Sequence, residues 1–256
     1  MSLRNDVPLV SVIIRTKNEE AYLASVLSAY ARQTFRDFEI VVVDDHSSDR
    51  TLEIANYYGC RIITVPGGRF SHPYSCNLGA NAAKGEYLVF TNGHSIPASE
   101  KFLQNGIDNF SNDRVAGIFA LPLSHEDGTI ADKLIYDLAG YSIGNLRYRI
   151  DSLPRLFLNP KRKPLGISLL GTTNAILRKR LWQEYPFNES FNGGLGGEDA
   201  DWAWHFVSTG YEIIHDPKFR VRHSHHLRIR DIFWQLQNWR YMVTAERTPD
   251  RQRKYF

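Results

Sequence analysis

A chain of 256 residues can bury a full α/β core, and 43% hydrophobic with 23% charged residues is an ordinary globular composition. A formal charge of +3 is too small to point to nucleic acid, and no apolar run reaches the length of about 18 residues that a membrane span needs. With no charged-then-apolar leader and two cysteines, Cys60 and Cys76, in unrelated contexts, the expectation is a cytoplasmic protein with reduced thiols, peripheral at most to the inner membrane face.

Residues 9–14 form a continuous apolar run, as a buried parallel strand requires. Asn18-Glu19-Glu20 then opens a helical pattern to about residue 33, and residues 39–43 read as a second buried strand. That strand runs into Asp44-Asp45-His46-Ser47-Ser48-Asp49, where Ser48 or Asp49 can cap a helix through Tyr58. A third strand over 61–65, a helix over 75–84 stopped by Gly85, and a fourth strand over 86–91 follow. This succession predicts a doubly wound, mostly parallel sheet with ligands at the carboxyl ends of its strands.

Farther on, the pattern predicts a helix over 99–110 and strands over 115–123, 173–177, 211–214 and 219–223. A helix over 198–209 closes at Gly210. The aperiodic stretch 141–166, with Pro154, Pro160 and Pro164, reads as a loop over an active site. A last helix over 232–246 carries an aromatic face, which divides the chain into a domain of residues 1–230 and an amphipathic, basic tail of 231–256. That tail is expected to pack on the domain, on a second copy in a homodimer, or against a membrane surface.

Two acidic positions suit chemistry by themselves. Asp45 directly follows a buried strand, where a carboxylate can accept the imide N–H of a uracil or the N–H groups of a guanine. The same residues also suit a turn and a helix cap. Asp199 sits in the first helical turn after Gly193-Gly194-Leu195-Gly196-Gly197, so it can approach a substrate closely enough to take a proton. Acids also favour helix starts for their own sake.

Five segments in order carry a resemblance that none carries singly: VSVIIRTKNEE from Val10, EIVVVDDHSSDRT from Glu39, GEYLVFTNGHSIP from Gly85, GTTNAILRK from Gly171 and GGEDADW from Gly196. In this order and spacing the set resembles family 2 of the glycosyltransferases with the GT-A fold, over about residues 8–225. The resemblance implies a Rossmann-like, mostly parallel sheet flanked by helices. It also implies transfer of a hexosyl or deoxyhexosyl group from a nucleotide-diphosphate sugar, UDP-linked by preference, to a glycan or glycolipid hydroxyl with inversion. Surface polysaccharide or lipopolysaccharide synthesis is the expected setting. The alternatives are a non-catalytic nucleotide-sugar binding protein and a sugar nucleotidyltransferase. The latter wants a glycine-rich phosphate loop after the first strand, which Arg15-Thr16-Lys17-Asn18-Glu19 is not.

By the resemblance Asp45 contacts the base with Asp44 in support, Thr16 lies beside the nucleotide, and Asp199 is the base while Glu198 contacts the acceptor or orients the loop. Arg15 stands where the family commonly has proline; it suits a base or a phosphate, and equally a surface ion pair. Arg69 precedes the third helix, where related enzymes bring a basic residue towards the donor. The family's Asp-x-Asp, which binds Mn²⁺ or Mg²⁺ across the diphosphate, is replaced by Asn92-Gly93-His94. Asn92 can still reach a ribose, and His94 can ligate an ion with His223 or His225, both just past a strand. Three uncharged ligands would bind that ion weakly without nucleotide. Without an ion, Arg149, Arg155, Lys161 and Arg162 are the available charge for the leaving group.

Overall fold

The fold is organised around β1 (Val10–Thr16), in which only Arg15 is less than fully buried. It pairs in parallel with β2 (Phe38–Asp44) on one edge and β4 (Tyr87–Asn92) on the other, and β3 (Arg61–Thr64) extends the parallel set beyond β2. Continuous apolar runs are what such doubly covered strands need. Beyond β4 come β8 (Ala175–Arg178), β6 (Val115–Phe119), β9 (Glu212–His215) and β7 (Leu146–Tyr148), giving the order β3-β2-β1-β4-β8-β6-β9-β7. The predicted α/β architecture with a mostly parallel sheet is therefore present. β8 is the exception within the core: it runs antiparallel to both β4 and β6. The chain re-enters the sheet there from the side of the β4 carboxyl end, Ala175 pairing with Phe90. The computed structural model describes residues 7–138, 141, 144–149, 170–191 and 197–232. The last predicted helix beyond Ile232 and most of the 141–166 stretch, with Arg155, Lys161 and Arg162, lie outside these residues.

Helices α1 (Leu23–Ala31), α2 (Thr51–Tyr57), α3 (His72–Ala82) and α4 (Phe102–Ile107) connect the strands. The first begins later than its sequence pattern predicts. Asn18, at φ 53°, and the two glutamates after it bond instead across to the β2–α2 loop. Asn18 N–H donates to Ser47 Oγ, Glu19 N–H to Thr51 Oγ1 and Glu20 N–H to Asp49 Oδ2. Such side-chain acceptors compete with a helix for the same donors. Asp49 also accepts the Thr51 N–H at 3.0 Å and so supports the start of α2, but the capping position falls to Arg50, which makes no side-chain cap bond. The strand expected over 115–123 ends at Phe119, because Leu123 bridges to Arg222.

Alternation along β1 divides the core into two layers. Ile13 joins Val41, Phe90, Trp182, Trp202 and Phe206 on one face, while Val12 and Ile14 join Leu23, Tyr30, Val89, Phe102 and Phe219 on the other. Trp182 and Trp202 are thus core residues. Cys60 and Cys76 are unpaired, and burial pushes both thiols up, to about 11 and about 12. No helix among the described residues is long and apolar enough to cross a membrane.

Helix α3 sits unusually close to the sheet. A Cβ on Gly79 would lie 2.4 Å from Ile13 Cγ2 and 2.9 Å from Val43 Cγ2. Both neighbours are branched and fully buried, so neither can give way. Gly79→Ala should lower the unfolding free energy by about 1–3 kcal/mol, as overpacking does. Urea denaturation reads this directly, and an unchanged midpoint would contradict the packing.

Candidate functional site

Parallel pairing brings the carboxyl ends of β1, β2 and β4 side by side, with Thr16 opposite Asp44 and Arg15 opposite Asn92. Asp44 is fully buried and holds the turn after β2: it accepts from Thr16 Oγ1 at 3.2 Å and from the Ser47 N–H at 3.0 Å. Asp45, the next residue, is directed away from that turn and pairs with Lys17 at 2.7 Å. Arg69 stays apart from this cluster, its guanidinium over the Tyr74 ring. It is His72, three residues on, that meets Arg15.

Arg15 leaves the sheet between two partners. Its guanidinium donates to His72 Nδ1 at 2.8 Å and to the Thr172 carbonyl at 3.2 Å, while its Nε is buried without a partner. Burial and the neighbouring guanidinium push His72 down to about 4, so the ring is neutral and can accept this bond. Thr172 then joins β1 to the acidic pair, because its N–H donates to Asp199 Oδ2 at 3.2 Å.

The acidic pair opens the Glu198–Ser208 helix. That helix is held by Trp202, Phe206 and Val207, all fully buried, and by Tyr185, which donates to Asp201 and stacks on His205 at 3.9 Å. Gly197 enters it at φ 119°, a conformation that side chains resist. The other glycines of that loop lie outside the described residues. Glu198 is buried with one oxygen unpartnered, and burial, with the adjacent Asp199 charge, pushes its carboxyl up to about 7.

On the other side of Arg15, three histidines converge. A two-residue ribbon, β5 (Ile96–Pro97) with β10 (Val221–Arg222), places Ile96 opposite Arg222. His94 and His223 thereby emerge next to each other, their rings stacked with centroids 4.6 Å apart. One ring nitrogen from each of His94, His223 and His225 lies within 4.8 Å of the others. Asp132, fully buried, accepts from the His225 and Leu227 N–H groups and fixes that backbone. His226 turns out of the cluster to Tyr22.

The ring orientations follow from their partners. Glu19 can only accept, so its 2.7 Å bond to His94 Nδ1 places the proton there and leaves Nε2 with its lone pair, buried and without a partner. Gly93 makes this approach feasible, since a Cβ there would lie 2.6 Å from Glu19 Cγ. Ser95 donates its hydroxyl proton to Asn92 Oδ1 at 2.7 Å and so accepts from His223 Nδ1 at 3.1 Å. His223 Nε2 is left as a lone pair facing His225 Nε2 at 3.0 Å. Burial, then the neighbouring rings, push His223 well below the ordinary histidine value, and His225 down as well, which keeps both neutral. Asn92 thus uses its carbonyl within the turn, where the sequence suggests a ribose contact. Arg149 lies near Glu212 at 3.7 Å.

Glu19, His72, Ser95, Asp132 and Thr172 are the contributors that motif reading passes over. Glu19, Ser95 and Thr172 fall inside the conspicuous segments that begin at Val10, Gly85 and Gly171, and His72 in the stretch after Arg69, but their roles, like that of Asp132, are set by contacts between distant segments.

Residues 11–185 match the family described as Glycosyl transferase family 2. The O-antigen chain rhamnosyltransferase WbaN of Salmonella anatum is 25% identical over 239 residues, covering 89% of this chain and 70% of that protein. The O-antigen chain rhamnosyltransferase RfbN of Salmonella typhimurium is 23% identical over 227 residues, covering 88% and 69%. Among solved structures, the Pyrobaculum calidifontis mannosyltransferase PcManGT with GDP-Man and Mn²⁺ superposes with TM-score 0.61 at 17% identity, over 94% of this chain and 71% of that one. The S. aureus TarS 1-349 complex with UDP gives 0.62 at 16%, over 95% and 68%.

The Glu198 shift has a measurable consequence. Its folded value lies above its unfolded one, so the folded state holds an extra proton between about 4.5 and about 7. The stability this contributes is complete below the unfolded value and is lost as pH rises through the folded one. Glu198→Gln should therefore stabilise the protein at pH 8 relative to pH 5 by roughly 1–3 kcal/mol more than the parent. Equal pH profiles in thermal unfolding would show that the carboxyl is not held neutral.

Proposed function

The chain belongs to glycosyl transferase family 2 and is a glycosyltransferase, and from that premise we propose that it moves a hexosyl or deoxyhexosyl group from a nucleoside-diphosphate sugar to an acceptor hydroxyl with inversion. Surface polysaccharide or lipopolysaccharide synthesis is the setting favoured by the O-antigen relatives. The observation that carries the reading is the Thr172 backbone link, which joins the carboxylate of Asp199 to Arg15 at the end of β1.

In this reading the base lies by Asp45, whose carboxylate accepts its N–H, and the diphosphate lies by Arg15. A UDP-linked donor suits a single accepting carboxylate. Asp199 takes the proton of the acceptor hydroxyl as its oxygen bonds to the anomeric carbon and the bond to the diphosphate oxygen breaks on the opposite face. Glu198, neutral beside it, orients the pair and the acceptor. The two carboxyls are thereby given different roles by environment alone.

The residues fit a divalent ion, on the evidence of the buried, unpartnered His94 Nε2 and the lone pair on His223. With His225 they would hold it, and when bound it would offset the charge that develops on the departing diphosphate. Residues 1–230 are the catalytic domain in this reading, and 231–256 an amphipathic tail packed on it, on a second copy or at a membrane surface.

Two substitutions test the assignment. Asp45→Ala should weaken UDP binding by about 1–3 kcal/mol, the loss expected for a hydrogen bond to a charged group. Calorimetry with unchanged affinity would remove Asp45 from the site. Asp199→Asn should leave donor binding intact and slow transfer about 10²-fold or more, as loss of a general base does. Wild-type transfer by that variant would end its role as the base.

A further inference from the structure

We propose that the three imidazoles form a site for a first-row transition ion that excludes Mg²⁺ and holds its ion without nucleotide, with Glu19 as the positioning residue that sets His94 for it. The use of the ion in transfer rests on the glycosyltransferase reading; its binding does not.

The donor set decides the class of ion. Three ring nitrogens converge and, among the described residues, no carboxylate joins them. Mg²⁺ demands oxygen ligands in near-octahedral array and keeps its waters, whereas imidazole suits zinc, iron, cobalt and their neighbours. An ion about 2.0–2.1 Å from each nitrogen spaces the nitrogens roughly 3 to 3.5 Å apart. The His223–His225 nitrogens already stand 3.0 Å apart, and all three fall within 4.8 Å.

The hydrogen bonds decide that the site is ready before any donor arrives. Glu19 fixes one ring and the Asn92–Ser95 turn fixes a second, each leaving its Nε2 lone pair turned inward. His225 Nε2 then carries the proton that bridges to His223, and an ion takes that place when the proton moves to His225 Nδ1, the other tautomer of the neutral ring. Uncharged ligands alone would bind weakly, but the Glu19 carboxylate lies one ring away and supplies negative charge as well as orientation. Gly93 belongs to this device, because any side chain there would push Glu19 off the ring. The family's acidic pair puts its carboxylates on the ion; in this chain the carboxylate stands behind a histidine.

The experiment uses the full chain without nucleotide and Co²⁺ as the probe, followed by its visible absorption and by calorimetry. One Co²⁺ should bind per chain, Zn²⁺ should displace it, and a 100-fold excess of Mg²⁺ should not. Glu19→Gln, which keeps the side-chain volume, should weaken Co²⁺ about 10- to 100-fold and change its spectrum. Its metal-free melting temperature should stay unchanged. His225→Ala, at the least buried residue of the three, should weaken Co²⁺ at least tenfold and serves if the first variant folds poorly. Absent Co²⁺ binding, displacement by Mg²⁺, or parental affinity in Glu19→Gln overturns the proposal. Transfer assayed in excess EDTA separates the two readings. Full transfer by a chain that binds no Co²⁺ removes this inference and keeps the transferase. Co²⁺ binding without transfer from any nucleotide sugar keeps the site and removes the transferase.

Discussion

β1 has no free edge and no wet face. Its backbone is paired on both sides over nearly its whole length, and its side chains are buried in both layers of the core. Polar chemistry therefore has one exit from this part of the sheet, at the carboxyl ends, where Arg15 is the first side chain to escape. Nearly every group in the site is referred back to that exit. Asp44 and Asp45 follow the paired end of β2, Asn92 and Gly93 the paired end of β4, and Thr172 meets Arg15 just before β8 begins.

Around that exit, charge is handled by pairing it or by removing it. Asp45 is neutralised by Lys17, Glu198 by a proton, and His72 by the loss of one. Each is the low-energy response of a group held close to others and away from water. Arg15 stands among these groups, linked to Asp199 through the Thr172 backbone. In the proposed reading a donor carrying a diphosphate and an acceptor carrying a hydroxyl proton are the complements of those two side chains.

The histidine cluster follows the same rule by another route. Three rings so close together cannot all be protonated, and burial excludes the charge further. The neutrality of His223 and His225 is what lets those two rings ligate. The two-residue ribbon of β5 and β10 is short, yet it sets His94 against His223 with the precision of a sheet register, and Asp132 supplies the remaining constraint on His225.

The sequence by itself determined the first four strands, their parallel succession and the family, because unbroken apolar runs ending in Arg15-Thr16, Asp44-Asp45 and Asn92-Gly93-His94 are local patterns; it read no strand at β5 or at β7, which falls in the stretch expected to be a loop. It also proposed Asp45, His94, His223 and His225 from residue type and position near a strand end, and Asp199 from its place at a helix start after a glycine-rich loop. It misplaced the start of α1, where side chains of the β2–α2 loop outbid the helix for Glu19 and Glu20, and it missed β8 as an antiparallel insertion. Only the tertiary structure decided which groups act together. The contacts Glu19–His94, Ser95–His223, Arg15–His72 and Thr172–Asp199 span 75, 128, 57 and 27 residues. No periodicity or motif records contacts across such distances, because they exist only once the sheet has brought its strand ends together.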